Sequence, residues 1–153
     1  MIENIFNIKS EQDFIKVTLQ IFKHQFKNNK VYRSFCDLLY IHPSDVSTLE
    51  EIPFLPIHFF KTRSILSTKE NPMITFESSG TTGNLTSKHF VTDINLYKES
   101  YLKGFDYFYG NIEDYVVLAL LPNYLEREGS SLVFMVDDLI SKSKNLESGF
   151  YLN

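Results

Sequence analysis

The chain is poor in the residues that staple, anchor or ligate. Cys36 is the single cysteine in 153 residues, which excludes an intrachain disulfide and a cysteine-based metal cluster and fits a reducing compartment. The N-terminus MIENIFNIKSEQ lacks the basic-then-apolar order of a secretion signal. No apolar run approaches the ~18 residues of a membrane span. The expectation is a cytoplasmic protein without a span. Positive charge is in deficit too: 15 basic against 19 acidic residues leave a net charge of -4, which argues against a nucleic-acid partner or general binding to an acidic membrane. The four histidines, His24, His42, His58 and His89, are scattered without ligand spacing on one face, so no metal site built from protein ligands is expected. Internal repeats and low-complexity tracts are absent as well.

What the chain does have is apolar and aromatic side chains. With 43% apolar residues, nine Tyr and fourteen Phe, it can bury a core, and its length is that of one domain. From Ser10, SEQD has the form of a helix start, and Ile15, Leu19, Phe22 and Phe26 recur at helical spacing to about Asn28. The other side of that helix carries Lys16, Lys23, Lys27 and Lys30, which reads as a solvated face or as a docking surface for an acidic partner or membrane. KVYRSFCDLLY predicts a second helix with Tyr32, Phe35, Leu38 and Leu39 inward, ending before His42-Pro43. Cys36 within it reads as a small core residue. Pro53 and Pro56 then limit EIPFLPIHFFKTRSI to a short aromatic connector.

Two β-like runs, MITFE and KHFV, flank ESSGTTGNLTS. Gly80 and Gly83 permit positive φ and close approach of a ligand, so amide groups there can converge on an anion. The hydroxyls of Ser78, Ser79, Thr81 and Thr82 add donors, and Lys88 adds a cation from the strand beyond. Neither the Walker pattern nor the dinucleotide fingerprint is present, since no lysine follows Gly83 and a third glycine is missing. On the residues alone, a phosphate cradle and a hairpin loop with solvated hydroxyls both stand. Thr92 or Asp93 caps a following helix whose Ile94, Tyr97, Tyr101, Phe105 and Phe108 mark one face. YVVLALLP is a continuous apolar run, as in a strand of a parallel sheet covered on both sides. Ser130 caps a last helix with Leu132, Val136, Leu139 and Ile140 inward. Asp137 and Asp138 point about 100° apart on it and do not make a paired-carboxylate site.

SSGTTG followed by a short basic strand resembles the phosphate-binding loop of the adenylate-forming superfamily, which activates carboxylic acids as acyl-adenylates with ATP and Mg2+. Within it, EIPFLPIHFFKTRSI, SKHFVT and LLPNYLEREGSSLVFMVDDLI are similar to the acyl-protein synthetases of bacterial luminescence, with phenylacetate-coenzyme A ligase as a cousin. The resemblance implies that Ser79, Gly80, Thr81, Thr82 and Gly83 hold the β- and γ-phosphates of ATP, with Ser78 and Lys88 beside them. It also implies a substrate pocket, for which Ser130 and Tyr124 are candidates, Tyr124 reading equally as a plain surface tyrosine; His89, which adjoins the segment and alternates with Lys88 along the strand, reads as a further pocket candidate or as a packing residue. Relatives continue the loop with a lysine where Thr86 stands here, and place a histidine soon after the proline at Pro122, where Asn123 and Tyr124 follow. The later motifs for adenine, ribose, magnesium and the catalytic lysine are not located in this stretch, so catalytic residues stay unassigned.

The expected fold class is α/β, a largely parallel sheet flanked by helices with a helical N-terminal extension. Residues 1–70 would form the extension and connector, and residues 71–153 the core, as one unit cut short at SGFYLN. The expected function is the N-terminal part of an AMP-forming ligase, inactive alone, that passes an acyl group from a carboxylic, fatty acid to a protein or thiol. The rival expectations are a phosphate- or nucleotide-binding module without chemistry and a scaffold that uses the basic helix.

Overall fold

The computed structural model describes residues 2–78, 85–121 and 129–152. The chain divides into two units, Met1–Asn71 and Pro72–Asn153.

In the first unit a 3-10 helix, Ile2–Asn7, precedes α1, Glu11–Asn28. The Ser10 hydroxyl accepts from the Asp13 amide at 3.1 Å, and donates to the Asp13 carboxylate at 2.8 Å. Such a cap satisfies an amide that the first helical turn leaves without a partner, worth about 1 kcal/mol. Asn29 both ends α1 and begins α2, Lys30–Leu38: its extended backbone breaks the helix, and its side chain accepts from the Tyr32 amide at 3.1 Å. The two helices therefore fold back on each other around Phe22, Phe26, Tyr32 and Cys36, and the segment that follows adds Val46 and Ile52 to the same cluster. Phe22 and Tyr32 meet edge to face at 6.2 Å between ring centroids, an orientation the ring quadrupoles favour. The Tyr32 hydroxyl donates to the Pro53 carbonyl at 2.7 Å, which ties the proline connector to α2. A short helix, α3, Phe59–Thr62, completes the unit.

Periodicity overstates the inward face of α2. Leu38 is its last residue and Leu39 its cap, and both are exposed. Tyr40 adopts φ 57°, which turns the chain away before the pattern can continue.

In the second unit β1, Ile74–Glu77, pairs antiparallel with β2, Lys88–Val91, in the register Ile74↔Val91 to Glu77↔Lys88. Helix α4, Ile94–Tyr109, starts at Asp93, whose side chain accepts from the Asn95 amide. Helix α5, Ser131–Ser143, starts at Ser130, whose hydroxyl accepts from the Val133 amide at 3.4 Å. Phe76 of β1 sits between them, its ring centroid 5.1 Å from Tyr97 and 5.6 Å from Phe134. Polar groups lock the same helices together. The Tyr101 hydroxyl donates to Asp138 Oδ2 at 2.7 Å, and Lys98 and Lys142 lie 3.7 and 3.8 Å from that carboxylate. Burial first, and then Asp138, push the Tyr101 phenol well above its ordinary pKa.

The class is mixed helix and sheet, compatible with α/β, but a largely parallel sheet is not observed. Among the described residues the strands form two separate pairs, one antiparallel and one parallel, the latter joining β3, Leu118–Ala119, to β4, Gly149–Phe150. The run YVVLALLP is not covered on both sides: Ala119 is buried, whereas Leu118 and Leu120 are 61% and 73% exposed. Two further residues expected inward, Phe108 and Leu132, are also exposed.

Candidate functional site

The antiparallel pairing of β1 with β2 makes the hydroxyl-rich segment the connection of a hairpin. Its register continues one step past the strands, because the Ser78 amide donates to the Ser87 carbonyl at 3.0 Å. The Ser87 amide in turn donates to the Ser78 hydroxyl oxygen at 2.9 Å. Ser78 thus closes the neck of the hairpin with both its backbone and its side chain. Ser79, Gly80, Thr81, Thr82 and Gly83 lie outside the described residues, as do Pro122, Asn123 and Tyr124.

Lys88 stands opposite Glu77 across the neck. The Glu77 amide turns outward and donates to the Gly129 carbonyl at 2.8 Å, so the 77–88 pair is one whose backbones do not bond each other and whose side chains come close. The Lys88 ammonium lies 3.5 Å from Glu77 Oε1, and the Thr86 hydroxyl donates to Oε2 at 3.2 Å. Both partners are about half exposed. His89 is opposite Phe76 in the ladder and exposed at its side chain.

Gly129 fastens a second segment to this hairpin. Its φ of +83° disfavours any residue with a Cβ. One residue on, Ser130 caps α5. The structure therefore brings Ser78, Lys88 and the 129–130 step to one hairpin. Cys36, in the first unit, is buried, and burial pushes its thiol up, as befits a core residue.

Glu77 and Gly129 escaped notice in the sequence. Pairing ITFE with KHFV as a hairpin would have set Glu77 against Lys88. Gly129 had only the polar stretch before Ser130 to mark it. Asp138 was weighed there only against Asp137, while its partners come from α4 and the next turn of α5.

Among the described residues the donors of the neck meet partners within it: the Ser78 and Ser87 amides bond across the strands, and the Thr86 hydroxyl and the Lys88 ammonium both face Glu77. No group of three His, Cys, Asp or Glu side chains among the described residues could hold a metal ion. On α1 a shallow groove is lined by Gln20, Lys23, His24, Lys27 and Asn28. Among the described residues no helix is long and apolar enough to cross a membrane.

A family profile described as "Acyl-protein synthetase, LuxE" matches residues 6–101, more than half of the chain. A protein of Photorhabdus luminescens named long-chain-fatty-acid--luciferin-component ligase is 32% identical over 69 residues, which are 44% of this chain and 59% of that protein. The matched stretch thus spans about three-fifths of that relative's length. No solved structure matches the chain.

Proposed function

The chain belongs to the acyl-protein synthetase family, and from that premise we propose that it supplies the phosphate-binding part of an ATP-dependent, AMP-forming ligase acting on a long-chain fatty acid. The acid would be activated as its acyl-adenylate, with release of pyrophosphate, and the acyl group then passed to an acceptor protein or thiol. The acid's class is taken from the printed name of the Photorhabdus relative.

The observation that carries this reading is the closed hairpin neck. Ser78 and Ser87 hold the two strands in register on either side of SGTTG, with Lys88 at the base. The segment between them is rich in glycine and hydroxyls, and converging amide and hydroxyl donors are what a polyanionic leaving group requires. Ser79, Gly80, Thr81, Thr82 and Gly83 would bind the β- and γ-phosphates, and Lys88 would offset part of their charge. The role of Ser78 is to close the neck. Ser130 and the segment before Gly129 would line the acyl side of the site, with Tyr124 and His89 as its further candidates. Magnesium, when bound with the nucleotide, would neutralise phosphate charge.

The test is fatty-acid-dependent exchange of pyrophosphate into ATP by the enzyme to which this chain contributes. Changing Thr82→Ala and Gly83→Ala together is expected to lower exchange on the order of 100-fold or more, the first by removing a hydroxyl donor to the leaving group and the second by adding a Cβ where a close approach is needed. Exchange that survives the double change unaltered would overturn the proposal.

A further inference from the structure

The two units handle their lysines differently. In the second, Lys88, Lys98, Lys103, Lys142 and Lys144 each lie no more than 3.8 Å from a carboxylate. In the first, Lys16, Lys23 and Lys27 of α1 and the neighbouring Lys30 are exposed, and among the described residues no ion pair joins them to a carboxylate. From Phe14 to Cys36 the chain has no Asp or Glu at all. Asp13, nearly a turn before Lys16, offsets that lysine in part, but it is bonded to the Ser10 hydroxyl and the Lys9 amide. The net negative charge of the chain sits elsewhere: residues 72–153 hold eleven acidic and six basic side chains, residues 1–71 eight and nine.

At about 100° and about 1.5 Å per residue, Lys16, Lys23 and Lys27 fall within an arc of about 40° and span about 16 Å of the helix. Phe22 and Phe26 hold another side of α1 in the core, so the row is fixed facing outward. Lys23 and Lys27, four apart, repel each other, and a counter-charge from outside would relieve them. We propose that this lysine stripe docks the chain on an anionic lipid bilayer, with α1 lying flat along the headgroups. The groove between Lys23 and Lys27 is shallow and lined by Gln20, His24 and Asn28 besides the two lysines. It offers no apolar pocket for the anchor residue of a protein partner, and no apolar side chain to insert among acyl chains. A bilayer surface asks only for charge and no matching shape. The contact is therefore electrostatic and reversible, and it does not depend on what the hairpin binds.

Co-sedimentation of the whole chain with vesicles tests this, using phosphatidylcholine alone and equal parts of phosphatidylcholine and phosphatidylglycerol. Binding is expected on the anionic vesicles only, and it should fall steeply as salt is added. Each lysine at such a surface is worth about fivefold in partitioning, so Lys23→Gln with Lys27→Gln is expected to weaken binding about 25-fold. Lys16→Gln, at about fivefold, is a second measurement of the same effect. Lys23→Arg with Lys27→Arg should preserve binding. Lys103→Gln with Lys144→Gln removes the same charge from paired positions and should leave binding unchanged. Equal losses from the two glutamine pairs, equal binding to neutral vesicles, or no binding to anionic ones would overturn the proposal. Saturable binding to polyglutamate in preference to the anionic vesicles would also overturn it, and would assign the stripe to an acidic protein.

Discussion

The two units of the chain reach order by different means. In the first, two helices joined at Asn29 close an aromatic cluster made largely from nearby sequence, with Phe22, Phe26 and Tyr32 at its centre. In the second, a hairpin and two helices converge on one ring, Phe76, and are fastened by a half-buried carboxylate, Asp138, that answers three partners. Its second sheet leaves Leu118 and Leu120 in solvent. The contrast separates a unit organised around its own core from one organised around a hairpin, where polar contacts do part of the packing.

The largest effect should come from the first core. Phe22→Ala is expected to destabilise the first unit by about 3–4 kcal/mol, since a buried ring is lost and a cavity remains. Amide hydrogen exchange should show α1 and α2 opening while β1 and β2 stay protected. Equal loss of protection in both units would erase the distinction between them.

A middling effect is expected from the polar fastening. Asp138→Ala should cost about 1–3 kcal/mol in the second unit, as the Tyr101 hydroxyl loses its acceptor. The phenol also makes this unit sensitive to alkali. Its folded pKa is raised by burial and by Asp138, so its contribution is complete below the unfolded tyrosine value near ~10 and is lost as the pH rises towards the folded value. Tyr101→Phe should remove that alkaline loss, and urea melts at neutral and alkaline pH check it.

The smallest effect belongs to the uncovered strand. Leu118→Thr should change stability by no more than about 0.5 kcal/mol, because the side chain is already 61% exposed. A larger loss in thermal melts would mean that this strand is covered in solution.

Helix starts were legible because capping is local: Ser10, Asp93 and Ser130 each accept from an amide two or three residues ahead, and such spacing is written in the chain. The hairpin strands were legible from composition, although their mutual pairing was not. Leu38, Leu39 and Phe108 misled because a periodic pattern says which face of a helix is apolar and not whether that face is covered at the helix's last turn. Leu118 and Leu120 misled for another reason: an unbroken apolar run permits burial on both sides, but burial needs layers that a run cannot specify. Within the candidate site, the hydroxyl-rich segment and Lys88 were visible as a motif, whereas the carboxylate of Glu77 became part of the site only through cross-strand register, and Gly129 only through a contact 52 positions from Glu77 in the chain.

The central claim is that the segment between the two hairpin strands binds a polyphosphate through its main-chain amides. Titrating pyrophosphate into 15N-labelled protein at constant ionic strength tests it most directly. The account predicts saturable shifts concentrated at the amides of Gly80, Thr81, Thr82 and Gly83. Shifts confined to the lysine-bearing face of α1, or none that saturate, would contradict it.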